Sequence, residues 1–268
     1  MKQTLLHLTV TAGHREALGL DAWQWAELRT AVHAGLIEQM TTKQRWAWLE
    51  EGLMTSYPAN FLMALRRSGG LMRLLPEVEG MFGVPHLSDA ALPVDVGLHQ
   101  MRVIDGAAAL GAPIRVRFAA LMQKIGMAGT PREIWPSHYK HEQRAHELLL
   151  AIGKRIAAPA QLLEFAHMVV SECERVHRAS DKRAGPLAEL LRRTRADVDR
   201  ERFEQLLGVC TCDYAAYAGH NAEAYPKAPR LRRALDAYLR VNVEGMPEES
   251  ALQARAEEIA RTLHSFAT

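Results

Sequence analysis

The sequence predicts an all-α fold, on three observations. Alternating runs rich in Val, Ile and Thr do not recur, so the mark of half-buried strands is missing. Apolar residues return instead at intervals of three and four, the spacing that gathers them on one face of a helix. Pro85, Pro93, Pro113, Pro131, Pro136, Pro159, Pro186 and Pro226 fall mostly between the periodic segments, where a missing N–H breaks no helix.

Between Thr42 and Met54, the residues Trp46, Leu49 and Leu53 share a face, and Thr41 or Thr42 supplies the N-cap. Pro58 suits the first turn of the next helix, which carries Phe61, Leu62 and Leu65 and stops at Ser68-Gly69-Gly70. A short helix then runs to Pro76. Further helices are predicted over about 95–110, 114–124, 142–155, 159–178, 186–195, 200–218, 228–243 and 248–265. The stretch Gly83-Val84-Pro85-His86 is the one boundary, dividing a smaller N-terminal helical set from a longer helical body. No internal repeat or low-complexity tract occurs.

Composition narrows the class. With 48% hydrophobic and 24% charged residues, 268 residues make an ordinary globular protein with a sizeable core. A net charge of only +2 exerts no strong pull on nucleic acid, so any basic face must be local. No stretch approaches the ~20 apolar residues that span a bilayer. Met1 to Val10 lacks the apolar run and small-residue cleavage site of a signal peptide. Cys173, Cys210 and Cys212 do not make a disulfide framework in a chain this long. A reduced, cytoplasmic protein with no membrane contact is expected.

Five stretches carry a family resemblance: LMALRRSGGLMRLLPEVEGMFGVP (62–85), DVGLHQMRVID (95–105), RVRFAALMQKIGMAGTPREIWPSHYKHEQRA (115–145), VHRASDKRAGPLAELLRRTRADVDRERFEQLLGVCTCDYAAYAG (176–219) and YPKAPRLRRALDAYL (225–239). In this order they resemble the part of the bacterial CCA-adding tRNA nucleotidyltransferase that follows its catalytic head. The resemblance spans roughly residues 40–245. It implies neck-like helices over 1–84, a degenerate HD-like helical domain over 85–180 and a C-terminal helical tail over 181–268. The family's head, with its nucleotide-binding sheet and paired metal-binding carboxylates, would lie upstream of residue 40, where too few residues stand to hold it. CCA addition is therefore not expected from this chain alone.

The same resemblance exposes a departure at the HD site. An HD hydrolase holds one or two divalent metals with His and Asp side chains, and the metal lowers the pKa of an attacking water. His99 stands where the first ligand belongs, but the His-Asp pair is replaced by Gln123-Lys124. Its surroundings are kept: Phe118, Ala119, Ala120 and Leu121 before it, Gly126, Thr130, Pro131, Trp135 and Pro136 after it. A neutral amide is a poor ligand, and an ammonium would sit where a cation should bind. At ~4 Å and an effective dielectric near 20, unit charges interact by about 4 kcal/mol, enough for Lys124 to stand in for part of the missing ion. No cofactor is expected. Lys124 is expected to be buried or half-buried near His99, paired with Asp105, Glu142 or Asp213.

Other residues read two ways. His138, His141 and Glu174 with His99 could rebuild a divalent-metal site, or they are polar remnants of the pocket. Cys210-Thr211-Cys212 with His220 invites a zinc reading. In a helix, however, the two sulfurs point about 200° apart, which favours buried thiols. Of Trp23, Trp25, Trp46 and Trp48, one of each pair is expected to pack inward, and an outward one can meet a protein partner. Arg192, Arg193 and Arg195, with Arg230, Arg232 and Arg233, are the candidate RNA-binding residues. In the family the corresponding helices meet tRNA, and Arg reads phosphate without sequence preference. These readings together describe a non-catalytic protein that binds tRNA or another structured RNA, or acts as a scaffold. The alternatives are an HD-type phosphohydrolase with a rebuilt site, and metal-free binding of a small anion around Lys124 and Lys140.

Overall fold

A computed structural model describes residues 2–87, 93–180 and 183–264. The chain runs α1 (Lys2–Gly13), α2 (Ala22–His33), α3 (Thr42–Leu53), α4 (Pro58–Ser68), α5 (Gly70–Leu74), α6 (Pro76–Glu79), β1 (Pro85–His86), β2 (Val94–Asp95), α7 (Val96–Ala109), α8 (Ile114–Met122), α9 (Ile125–Ala128), a 3₁₀ turn (Arg132–Ile134), α10 (His141–Ile156), α11 (Ala160–His177), α12 (Ala184–Thr194), α13 (Arg200–Ala215), α14 (Lys227–Arg240) and α15 (Glu248–His264). The fold is all-α, as expected. Residue 265, the last of the final predicted helix, lies outside the described residues. Beyond the sequence reading stand helices α1, α2, α6 and α9, the 3₁₀ turn, and a minimal antiparallel pair in which Pro85 faces Asp95 and His86 faces Val94. Among the described residues no helix is long and apolar enough to cross a membrane.

Local chemistry explains the helix ends. Thr41 caps α3 by accepting from the Gln44 amide at 3.2 Å, while Gln44 Oε1 accepts from the Thr41 amide at 3.0 Å. Gly69, at φ +82°, closes α4 in the left-handed conformation that glycine adopts without strain. Asp95 caps α7 through the Leu98 amide and also accepts from the Gly83 amide at 2.6 Å. That double use ties the turn at residues 83–86 to the start of the helix carrying His99.

A contiguous apolar core runs from Leu5 in α1 to Leu263 in α15. Helix α3 sits between α1 and α4 on one side and α8 and α10 on another. This corrects the expectation for the Trp46/Trp48 pair, of which both pack inward, because a helix flanked on two sides buries two faces. Trp46 meets Phe118 edge-on at 5.7 Å. Trp48 meets Phe61 and donates to Thr9 Oγ1 at 3.0 Å. Trp25 is half-buried, and Trp23 is the exposed member of the set. Helices α7, α8, α11 and α13 pack on one another in the body, and the candidate site lies where they meet.

Candidate functional site

Asp213 is the centre of the site. Its place near the C-terminal end of α13 buries it to 2% exposure, against α7 and the end of α8. An isolated buried carboxylate costs several kcal/mol, so it must be ringed by donors. His99 Nε2 lies 2.7 Å from Oδ1, and Gln123 Nε2 donates to the same oxygen at 2.6 Å. Lys124 Nζ sits 2.9 Å from Oδ1 and 3.1 Å from Oδ2. His177, from α11, places Nε2 3.0 Å from Oδ2. The three positions that the family resemblance singled out, 99, 123 and 124, thus converge on one acid contributed by a distant helix.

The charges follow from that geometry. Burial pushes the Asp213 carboxyl up, but Lys124, His177 and His99 together hold it well below the usual carboxylate range. Burial works against the Lys124 ammonium, and Asp213 outweighs it, so the lysine keeps its proton. Burial lowers the His99 imidazole more than Asp213 restores it, leaving a neutral ring that donates Nε2–H to the acid. The Nδ1 of His99 is buried without a hydrogen-bond partner. For His177 burial again opposes charge, but neighbouring Cys173 and Asp213 raise it to about 10. Its Nδ1–H then donates to the Tyr225 hydroxyl at 2.9 Å. Two cations face one anion.

A cavity of about 390 Å³ opens on this cluster, lined by Lys124, Glu174, His177, Asp213, Tyr214, Tyr217 and Tyr225 among others. Glu174 pairs with Arg178 at 3.4 Å. His138 commits both ring nitrogens elsewhere, to the Pro85 carbonyl at 2.7 Å and Thr130 Oγ1 at 3.0 Å. His141 Nδ1 lies 3.2 Å from the His138 carbonyl, at the start of α10. That start is pressed onto α9, where a Cβ at Gly126 would run into the His141 carbonyl and lie 2.8 Å from the Ala145 amide. Lys140 sits at the N-cap of α10 with φ +60° and lies outside the cavity lining. His99, His138 and His141 do not bring their ligand atoms within 4.8 Å of one another. Cys210 packs against Cys173 at 3.4 Å while Cys212 faces Gly106 on α7, and His220 stacks on Tyr214 at 4.2 Å. The sulfurs of the C-x-C stretch therefore point apart.

The candidate RNA-binding arginines lie on α12, at its end and on α14. Arg192 pairs with Glu189 and Glu248, Arg193 with Glu172 at 2.9 Å, and Arg232 with Glu204 at 2.8 Å. Arg230 reaches the Ala179 carbonyl at 3.4 Å, Arg195 caps α12 at φ +52°, and Arg233 also has internal partners. The exposed pairs of Arg192 and Arg232 are weak, and an incoming phosphate can replace their carboxylates, whereas Arg193 is held by the buried Glu172. His177, Tyr217 and Tyr225 were missed in the sequence. Their local signal was the aromatic spacing Tyr214, Tyr217, Tyr225 and a His four residues after Cys173.

No family model matches the chain. It is 36% identical over 226 residues to the multifunctional CCA protein of Nitrosospira multiformis, covering 84% of this chain and 55% of that protein. The namesakes from Cupriavidus necator (36% over 233 residues, 87% and 57% covered) and Leptothrix cholodnii (38% over 237 residues, 88% and 57% covered) are similarly related. The chain spans little more than half the length of the curated relatives it matches. Identity of this extent, with His99, Gln123 and Lys124 gathered on Asp213, makes the chain a relative of the C-terminal, helical half of the CCA-adding tRNA nucleotidyltransferases.

Proposed function

We propose that the chain is a non-catalytic RNA-binding or scaffold module, with tRNA as the RNA class, whose former HD site has become a structural ion cluster. One observation carries this reading: the Lys124 ammonium lies within 3.1 Å of both Asp213 oxygens, where a hydrolase would hold its cation. A fixed, buried ammonium cannot activate a water as a metal does. His138 is committed through both ring nitrogens to Pro85 and Thr130, and His141 holds Nδ1 on the His138 carbonyl. RNA contact falls to the arginines of α12 and α14, through phosphates.

The test is tRNA binding at low salt. Micromolar affinity is expected with little preference among tRNA species. Contact with roughly three or four phosphates gives a slope near −3 in log K against log salt. Reversing Arg232 and Arg233 to Glu should weaken every tRNA alike, whereas reversing Arg15 should do little. No detectable binding at low salt, or indifference to the Arg232/Arg233 reversal, leaves the scaffold reading alone. A second reading, metal-free capture of a small anion, draws on the excess positive charge and three tyrosines at the cavity. Inorganic phosphate or a nucleoside monophosphate should then raise the melting temperature, and Lys124→Met should remove the effect.

A further inference from the structure

Beyond the acid cluster, the same helices bring together a second group of side chains with a different chemistry. Cys173 and His177 lie one turn apart on α11, so they share a face. Cys210, on α13, meets them from the opposite side. Cys173 Sγ is 3.4 Å from Cys210 Sγ and 3.4 Å from His177 Nε2, and ligand atoms of all three lie within 4.8 Å of one another. Zinc–sulfur bonds of about 2.3 Å at tetrahedral angles separate two sulfurs by about 3.8 Å, so the observed spacing needs only a small outward movement. We propose that Cys173, Cys210 and His177 Nε2 form a binding site for a thiophilic transition ion, with Zn(II) the natural occupant, distinct from the HD metal position.

The surroundings supply what such a site requires. Tyr225 holds His177 Nδ1 at 2.9 Å, a contact that fixes the ring orientation and leaves Nε2 toward the sulfurs. Asp213 Oδ2 lies 3.0 Å from the same Nε2 but outside the mutual 4.8 Å reach of the other three ligand atoms, which leaves the fourth position to a water or small ligand from the cavity. On binding, the protons of both thiols and of His177 Nε2 leave to solvent, and no oxidant or reductant is involved. The two thiolates and the Asp213 carboxylate are then balanced by the dication and Lys124. An ion can enter from the cavity, which His177 and Asp213 both line. Soft sulfur ligands exclude Mg(II) and Mn(II), so the site offers nothing to the hydrolytic chemistry considered above.

Titration of the metal-free full chain with Co(II) tests the proposal. Saturation at one ion per chain is expected, with a sulfur-to-cobalt charge-transfer band, intense visible bands of a tetrahedral site, and bleaching by Zn(II). Cys210→Ser and His177→Ala should each abolish the sulfur band, and Cys212→Ser should keep it. Because the cysteines are buried, alkylation mapping on the unmutated chain gives a second reading that does not depend on the variants folding. Zn(II) should protect Cys173 and Cys210 and leave the reactivity of Cys212 unchanged. A pale octahedral cobalt spectrum, a sulfur band surviving in folded Cys210→Ser, or equal alkylation with and without Zn(II) would each overturn it.

Discussion

At the scale of single residues, Lys124 and Asp213 form a buried ion pair in the body. The pair is buried, so each charge depends on the other far more than a surface pair would. Asp213→Asn should cost about 3–5 kcal/mol in urea unfolding, because it leaves an ammonium buried without its counter-charge. Combining it with Lys124→Met should recover much of the loss, since an apolar chain of similar length needs no partner. A single Asp213→Asn as stable as the native chain would show that Lys124 reaches water. The sequence named three acids for this lysine but could not choose among them. Asp105 instead accepts from the Ala59 amide at 2.9 Å, and Glu142 lies 3.5 Å from Arg175. Only packing of α13 on α7 and α8 makes the choice, and no local pattern encodes a contact between residues 89 apart.

At the scale of elements, legibility followed the sidedness of each helix. Helices α10, α11, α12 and α14 expose one face and bury the other, so their spacing and end signals marked them within a few residues. Helix α3 buries two faces, and its Trp pair was therefore misjudged although its extent was not. Helix α1 mixes Thr and His with its apolar residues, and the β1–β2 pair is too short for any alternation to show. Two glycines in helices make a paired test of packing. Gly126→Ala should destabilise by roughly 1–3 kcal/mol or more, because α9 and α10 leave no room for a methyl group. Gly208→Ala, with nothing near its Cβ position in the middle of α13, should stabilise by about 0.5–1 kcal/mol. Equal effects in chemical denaturation would show that the α9–α10 contact is looser than described.

At the scale of the whole molecule, buried histidines shape the response to pH. Burial lowers His86 to about 3 and also lowers His99, His138, His141 and His167. The unfolded chain protonates these near pH 6.5 and the folded one later, so stability falls as pH drops below that value. Each contributes a slope of up to about 1.4 kcal/mol per pH unit. His177 acts with the opposite sign: raised to about 10, it adds stability that is complete below pH 6.5 and fades as pH rises toward 10. Melting temperature should therefore peak near neutral pH, and His177→Gln should flatten the alkaline side. A peak in the acid range would contradict this assignment. The proposal that the molecule is a binder rather than a hydrolase rests on reading Lys124 as standing where a hydrolase would hold its cation, and Mn(II) titration by calorimetry tests that most directly. The native chain should take up no Mn(II) and hydrolyse neither 2′,3′-cyclic nucleotides nor p-nitrophenyl phosphate, while Gln123→His with Lys124→Asp should gain Mn(II) binding on the intact His99–Asp213 frame. Stoichiometric Mn(II) binding by the native chain, lost with His99→Ala and accompanied by hydrolysis, would contradict it.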